Sequence, residues 1–210
     1  MLRSGTSSIT SASSAGKGLD SVDTRELAGT LDFLRAAEQL KNVTRTSWTS
    51  AGHQESVAEH TWRLCLMALV FESEFPSLDF ARLIRMCVIH DLGEAIHGDI
   101  SAVLQGDSDK AENERRDLEE LLLPLPDRLR MSILELWDEY EAASSPEARV
   151  AKALDKLETI MQHNQGKNPP DFDYAFNLEY GRKHTSDHPL IVAIREILDQ
   201  ETARRAGKRK

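Results

Sequence analysis

The run Leu83-Ile84-Arg85-Met86-Cys87-Val88-Ile89-His90-Asp91 decides how this chain is read, because a long apolar stretch ends in an imidazole and a carboxylate side by side. An ionised carboxylate is too costly to bury unless it is paired, neutralised or bound to a metal. Two more side chains of the same kind sit in similar settings. His60 lies in Glu59-His60-Thr61-Trp62, some thirty residues upstream, and Asp155 lies in Ala153-Leu154-Asp155-Lys156-Leu157, far downstream. A divalent metal held by all four accounts for each of them.

Around these residues the apolar spacing is helical. It predicts helices over Thr24-Lys41, Val57-Glu74, Asp79-His97, Ser108-Leu122, Asp127-Ala142, Pro146-His163 and Pro189-Arg204. Ser56-Val57-Ala58-Glu59 fits a capping box, Pro146 suits a first helical position, and Pro76 separates the second helix from the third. No strand or hairpin pattern competes, so the expected class is all-α. The second and third helices are apolar nearly all round and are expected at the centre of the bundle. From Asn168-Pro169-Pro170-Asp171 to Asp187 the helical pattern breaks into a long irregular connection placed to close over a site.

The chain has 210 residues, enough for one domain with a substantial core, and a net charge of -9, which argues against a general nucleic-acid binder. Its two cysteines, Cys65 and Cys87, fall in apolar helical runs and read as small buried hydrophobes rather than a disulfide framework. No apolar run is long enough to cross a bilayer, and a cytoplasmic location is expected. Residues 1–23 read as a flexible Ser/Thr-rich tail, with organelle targeting as an alternative meaning. Residues 24–203 form the domain, and residues 204–210 form a basic tail.

Two imidazoles and two carboxylates make a nitrogen–oxygen site suited to manganese, iron, cobalt, nickel, zinc or magnesium, with positions left for water and substrate. The third predicted helix carries more than ligands. Glu94 and His97 follow His90 at four and seven residues, on one helical face, and Gly98 ends the turn beside Asp99. Next to a metal, such carboxylates orient water or move a proton to the leaving oxygen. Glu94 and Asp99 are therefore the expected catalytic pair, with His97 as pocket wall.

Four stretches carry a family resemblance. They are Glu55-Ser56-Val57-Ala58-Glu59-His60, His90-Asp91-Leu92-Gly93-Glu94-Ala95-Ile96-His97-Gly98-Asp99-Ile100, Leu136-Trp137-Asp138-Glu139-Tyr140-Glu141 and Leu154-Asp155-Lys156-Leu157-Glu158. Together they resemble the HD-domain metal-dependent phosphohydrolases, and within them the 5′-deoxynucleotidases. The resemblance runs from about Leu31 to Leu198. It implies an HD-domain helical bundle, usually dimeric, that removes the 5′-phosphate from deoxynucleoside monophosphates. It further implies His60, His90, Asp91 and Asp155 as metal ligands and Glu94 and Asp99 as the catalytic carboxylates.

Substrate binding needs a cation and a flat surface, and Arg45-Thr46-Ser47-Trp48 supplies both while resembling an element of the family. Arg45 is expected to hold the phosphate, and Thr46 and Trp48 to crowd the sugar so that deoxyribose is preferred. Lys156, beside a ligand, is a second candidate for the phosphate. Two other readings stay open at this stage. One is a different HD phosphohydrolase reaction, on a cyclic nucleotide, a dinucleotide or a nucleoside triphosphate. The other is a non-enzymatic helical binding module stabilised by its metal.

Overall fold

A computed structural model describes residues 23–99 and 107–207. Eight α-helices account for most of the described residues: α1 (Thr24–Ala37), α2 (Val57–Val70), α3 (Phe80–Ile89), α4 (Glu94–His97), α5 (Asp107–Leu121), α6 (Asp127–Ala142), α7 (Pro146–Gln165) and α8 (Pro189–Ala206). The tail expected over residues 1–23 lies, apart from Asp23, outside the described residues. At the other end, Arg204 and Arg205 belong to the last turn of α8, where cations suit the helix dipole.

The caps read from sequence form as chemistry demands. Ser56 Oγ accepts the Glu59 amide at 3.2 Å while the Glu59 carboxylate accepts the Ser56 amide at 2.7 Å, a complete capping box that starts α2. Ser145 caps α7 through the Ala148 amide, with Pro146 following it. Both cysteines are free, Cys87 buried and Cys65 half-buried.

Three expectations are corrected. First, α7, and not α2 or α3, is the axis of the bundle. Fourteen of its twenty residues are buried, against five of fourteen in α2. Its buried set includes Lys152, Asp155, Glu158, Thr159, Gln162, His163 and Asn164, so its mean hydropathy hides its position. Second, a short antiparallel hairpin exists: β1 (Thr44–Trp48) pairs with β2 (Gln54–Ser56), with Thr44 opposite Ser56 and Trp48 opposite Gln54. These strands are too short and polar to show an apolar alternation, and the turn between them uses Gly52 at φ +94°.

Third, the helix expected to run unbroken to His97 ends at Ile89. The His90 carbonyl, which would accept the Glu94 amide in a continuous helix, instead accepts the Trp137 indole N–H at 3.0 Å. The chain then tightens into i to i+3 bonds, Leu92 to Ile89 and Glu94 to Asp91, before α4 begins. Gly93 makes this turn possible, because a Cβ there would stand 2.5 Å from the Glu114 carbonyl oxygen of α5.

Candidate active site

His60 projects from the first turn of α2, His90 and Asp91 from the end of α3, and Asp155 from the middle of α7. Their ligand atoms converge. His60 Nε2 lies 3.3 Å from His90 Nε2, 3.2 Å from Asp155 Oδ1 and 3.9 Å from Asp91 Oδ2, and His90 Nε2 lies 3.0 Å from Asp91 Oδ2.

The opposite ring nitrogens are committed. His90 Nδ1 donates to the Cys87 carbonyl at 2.9 Å, and His60 Nδ1 donates to the Glu158 carboxylate. The two Nε2 atoms and an Asp91 oxygen thus lie within 4.8 Å of one another, with Asp155 Oδ1 joining them through His60, and positive charge among these acceptors satisfies them together. These residues fit a divalent cation.

Electrostatics agrees with that donor set. Burial and Arg45 oppose charge on His60, yet Glu158 and Asp155 hold its imidazole up at about 9. Burial likewise works against ionising Asp155, but Lys156 and the two imidazoles keep it well below the usual carboxylate range. Surroundings that favour a proton at this point also favour a metal.

The outer layer explains two motifs that carried no assigned role in the sequence. Tyr140 donates its hydroxyl to Asp155 Oδ2 at 3.0 Å, and Trp137 fixes the His90 carbonyl, so Leu136–Glu141 braces two ligand segments at once. Glu158, fully buried, takes His60 on one oxygen and the Arg63 guanidinium on the other at 2.5–2.6 Å. A single apolar-looking face of α7 thus holds a ligand and the carboxylate that orients another.

Beside the ligands opens a cavity of about 410 Å³. Arg45, Thr46 and Ser47 come from β1, Asp91, Glu94 and Asp99 from the α3–α4 region, and Asp155, Lys156, Thr159 and His163 from α7. Lys110 of α5 also reaches it, and the 168–187 connection contributes Phe172, Asp173, Phe176 and Tyr180. Buried Arg195 anchors that connection by donating to the carbonyls of Asn177, Leu178 and Tyr180 at 2.7–2.9 Å.

Arg45 is half-buried, with Nη1 3.4 Å from Asp91 Oδ2 and Nη2 donating to Thr159 Oγ1 at 3.0 Å. Glu94 presents a buried Oε2 without a partner among the described residues, and burial beside Asp91 and Asp99 pushes its carboxyl up to about 10. Gly98, at φ +85°, turns the chain so that Asp99 follows at the cavity edge. Lys156 Nζ lies 2.8 Å from Asp155 Oδ2 and 5.4 Å from the Tyr180 ring centre.

Two expected pocket residues stand elsewhere. The His97 side chain is 63% exposed and its Nδ1 lies 2.9 Å from Asp117 of α5, because the break after α3 destroys the i, i+7 relation to His90. Trp48 does not line the cavity either. The pairing of β1 with β2 shifts register between Thr44 and Trp48, and Trp48 ends the strand with its carbonyl accepting from the Gln162 side chain of α7. Lys110, Thr159, His163, Phe172, Phe176 and Tyr180 were missed: Thr159 and His163 follow Asp155 at i+4 and i+8 on α7, a spacing that the sequence reading did not extend beyond the ligand, and the others lie on segments with no spacing relation to it.

The HD domain profile matches residues 37–195 of the chain. The chain belongs to the HD-domain family. Over 203 residues this HD domain protein is 37% identical to the human 5′-deoxynucleotidase HDDC2, covering 92% of each chain. It is 35% identical over 183 residues to the Schizosaccharomyces pombe 5′-deoxynucleotidase hdd1, covering 80% of this chain and 88% of the relative. Among solved structures, one described as a predicted metal-dependent phosphohydrolase from Magnetospirillum magnetotacticum superposes with a TM-score of 0.74 at 27% identity. The match covers 86% of this chain and 97% of that one.

Proposed function

We propose that the chain is a divalent-metal-dependent 5′-nucleotidase that hydrolyses deoxynucleoside 5′-monophosphates to the nucleoside and orthophosphate, with deoxyribose preferred over ribose. The observation that carries this reading is the convergence of His60, His90, Asp91 and Asp155 beside a cavity that also holds Arg45, Glu94 and Asp99. Relatives that cover 80–92% of the chain and are named 5′-deoxynucleotidases support the substrate class.

A divalent ion at the four ligands would polarise the phosphate and make water acidic enough to attack near neutral pH. The metal is one of manganese, cobalt, magnesium, iron, nickel or zinc. Arg45, whose guanidinium borders both the ligand Asp91 and the cavity, grips the phosphate oxygens. Lys156 adds a second positive charge close by. Glu94, buried and without a partner at Oε2 among the described residues, handles the proton that the leaving 5′-oxygen needs, and Asp99 orients the attacking water. Thr46, on the cavity wall, takes over at the sugar the position expected of Trp48.

This reading carries a domain over residues 24–203, a cytoplasmic location and a homodimeric state. For the dimer, the supporting surface is the exposed α2 stripe of Trp62, Leu66 and Leu69, at i, i+4 and i+7. Among the described residues no helix is long and apolar enough to cross a membrane.

The test is metal-stripped protein reloaded with single divalent ions and assayed for phosphate release from ribo- and deoxynucleoside mono- and triphosphates. Metal-dependent release from deoxynucleoside monophosphates is expected, and Arg45→Ala should lower kcat/KM for all of them alike. A response confined to triphosphates, or one independent of metal, would overturn the reading.

A further inference from the structure

Three residues of α7 line the cavity in one row: Asp155, Thr159 and His163, each four residues beyond the last. At the helical rise His163 stands about 12 Å beyond Asp155, roughly the distance from a 5′-phosphate to the far edge of a base. Thr159, one turn before His163, is the residue that Arg45 touches. A phosphate gripped at the Asp155–Arg45 end therefore carries its base toward His163.

The His163 ring is set up to meet a polar atom there. Its side chain is almost wholly enclosed, with the residue 6% exposed. Nδ1 lies 2.9 Å from the amide oxygen of Asn177, which is itself fully buried. With the amide so oriented, its oxygen accepts, so Nδ1 carries the hydrogen and Nε2 keeps a free lone pair. Nε2 is buried and has no hydrogen-bond partner among the described residues. Burial lowers the basicity of the ring, which keeps it neutral near pH 7.

The surroundings suit a flat partner. Phe172 meets the His163 ring edge-on at 4.8 Å between ring centres, and Phe172 and Phe176 both line the cavity. Aromatic walls accept the π-face of a base, while an enclosed acceptor selects an edge that carries a donor. We propose that His163 Nε2 accepts a hydrogen bond from an N–H on the edge of the substrate's nucleobase, with Phe172 and Phe176 against the base, making His163 a specificity-determining residue. The proposal rests on the reading of the cavity as a nucleoside monophosphate site.

The test uses dTMP and N3-methyl-dTMP, because N3–H is the only N–H of thymine in a nucleotide and methylation removes it. For the unaltered protein, kcat/KM should fall about tenfold on methylation, the scale of one buried hydrogen bond left unmade. His163→Phe keeps a ring of similar shape without an acceptor and should bring the ratio close to one. His163→Gln, which returns an acceptor, should restore part of it. Because the readout is a ratio, general damage to the fold cancels. Calorimetric Kd values for thymidine and N3-methylthymidine, which carry no phosphate, should show the same ratio and the same loss in His163→Phe. An equal response to both ligands in the unaltered protein, or a ratio unchanged in His163→Phe, overturns the proposal. Tight, methylation-sensitive thymidine binding without any monophosphate hydrolysis would instead sink the reading of the reaction while sustaining that of His163.

Discussion

Tyr140 and Asp155 are joined through a 3.0 Å hydrogen bond in which the phenol donates to Asp155 Oδ2. Lys156 Nζ lies 2.8 Å from the same oxygen, so Tyr140 of α6 and Lys156 together leave Asp155 Oδ1 as the oxygen 3.2 Å from His60 Nε2 and facing the metal position. Outer-shell partners of this kind typically change metal affinity when lost, without changing the ligand set.

Tyr140→Phe should therefore weaken metal binding about 10- to 100-fold, while Asp155→Ala should nearly abolish it. The measurement is competition against a chelating indicator, paired with melting curves over a range of metal concentrations. Metal should raise the melting temperature of the unaltered protein most, of Tyr140→Phe less, and of Asp155→Ala least. Full metal content and an unchanged metal-dependent melting shift in Asp155→Ala would remove this residue from the site.

Glu94 and Asp99 line the cavity beside Asp91 and Asp155. Glu94→Gln and Asp99→Asn should keep metal binding near the unaltered level while lowering kcat about a hundredfold or more, the scale of a lost general acid or base. Metal analysis and phosphate release on the same samples separate the two quantities. Undiminished turnover in both variants at full metal content would assign these carboxylates to the scaffold.

His184, in the short helical turn after Gly181, is held down to about 4 by burial and by Lys152, Lys156 and Lys183. In the unfolded chain its ring titrates near its ordinary value of about 6.5. Below that pH the unfolded state takes up a proton that the native ring refuses. Stability is thus retained above about 6.5 and lost progressively as pH falls toward about 4. His184→Asn should flatten the fall in unfolding free energy between pH 6.5 and 5, read from denaturant titrations. Identical slopes in both proteins would show that other groups govern that window.

Most helix positions, the capping box at Ser56, and the polar side chains of His60, His90, Asp91 and Asp155 in apolar surroundings were legible in the chain, because caps and apolar periodicity are local. A polar ligand among apolar neighbours is equally a local anomaly. The hairpin that carries Arg45 was not, since four polar residues and a terminal Trp48 leave no alternation to read. Nor was the break after Ile89, which depends on Trp137 reaching the His90 carbonyl from 47 residues away.

The sequence by itself thus determined an all-helical bundle and which side chains had reason to hold a metal. Only the tertiary structure decided that α7 is the axis, that Trp48 and His97 face elsewhere, and that His163 with Phe172 and Phe176 walls the cavity. The physical reason is one of range. Propensity, capping and periodicity act within a few residues, whereas a cavity is made by surfaces from β1, α3, α5, α7 and the 168–187 connection meeting in space.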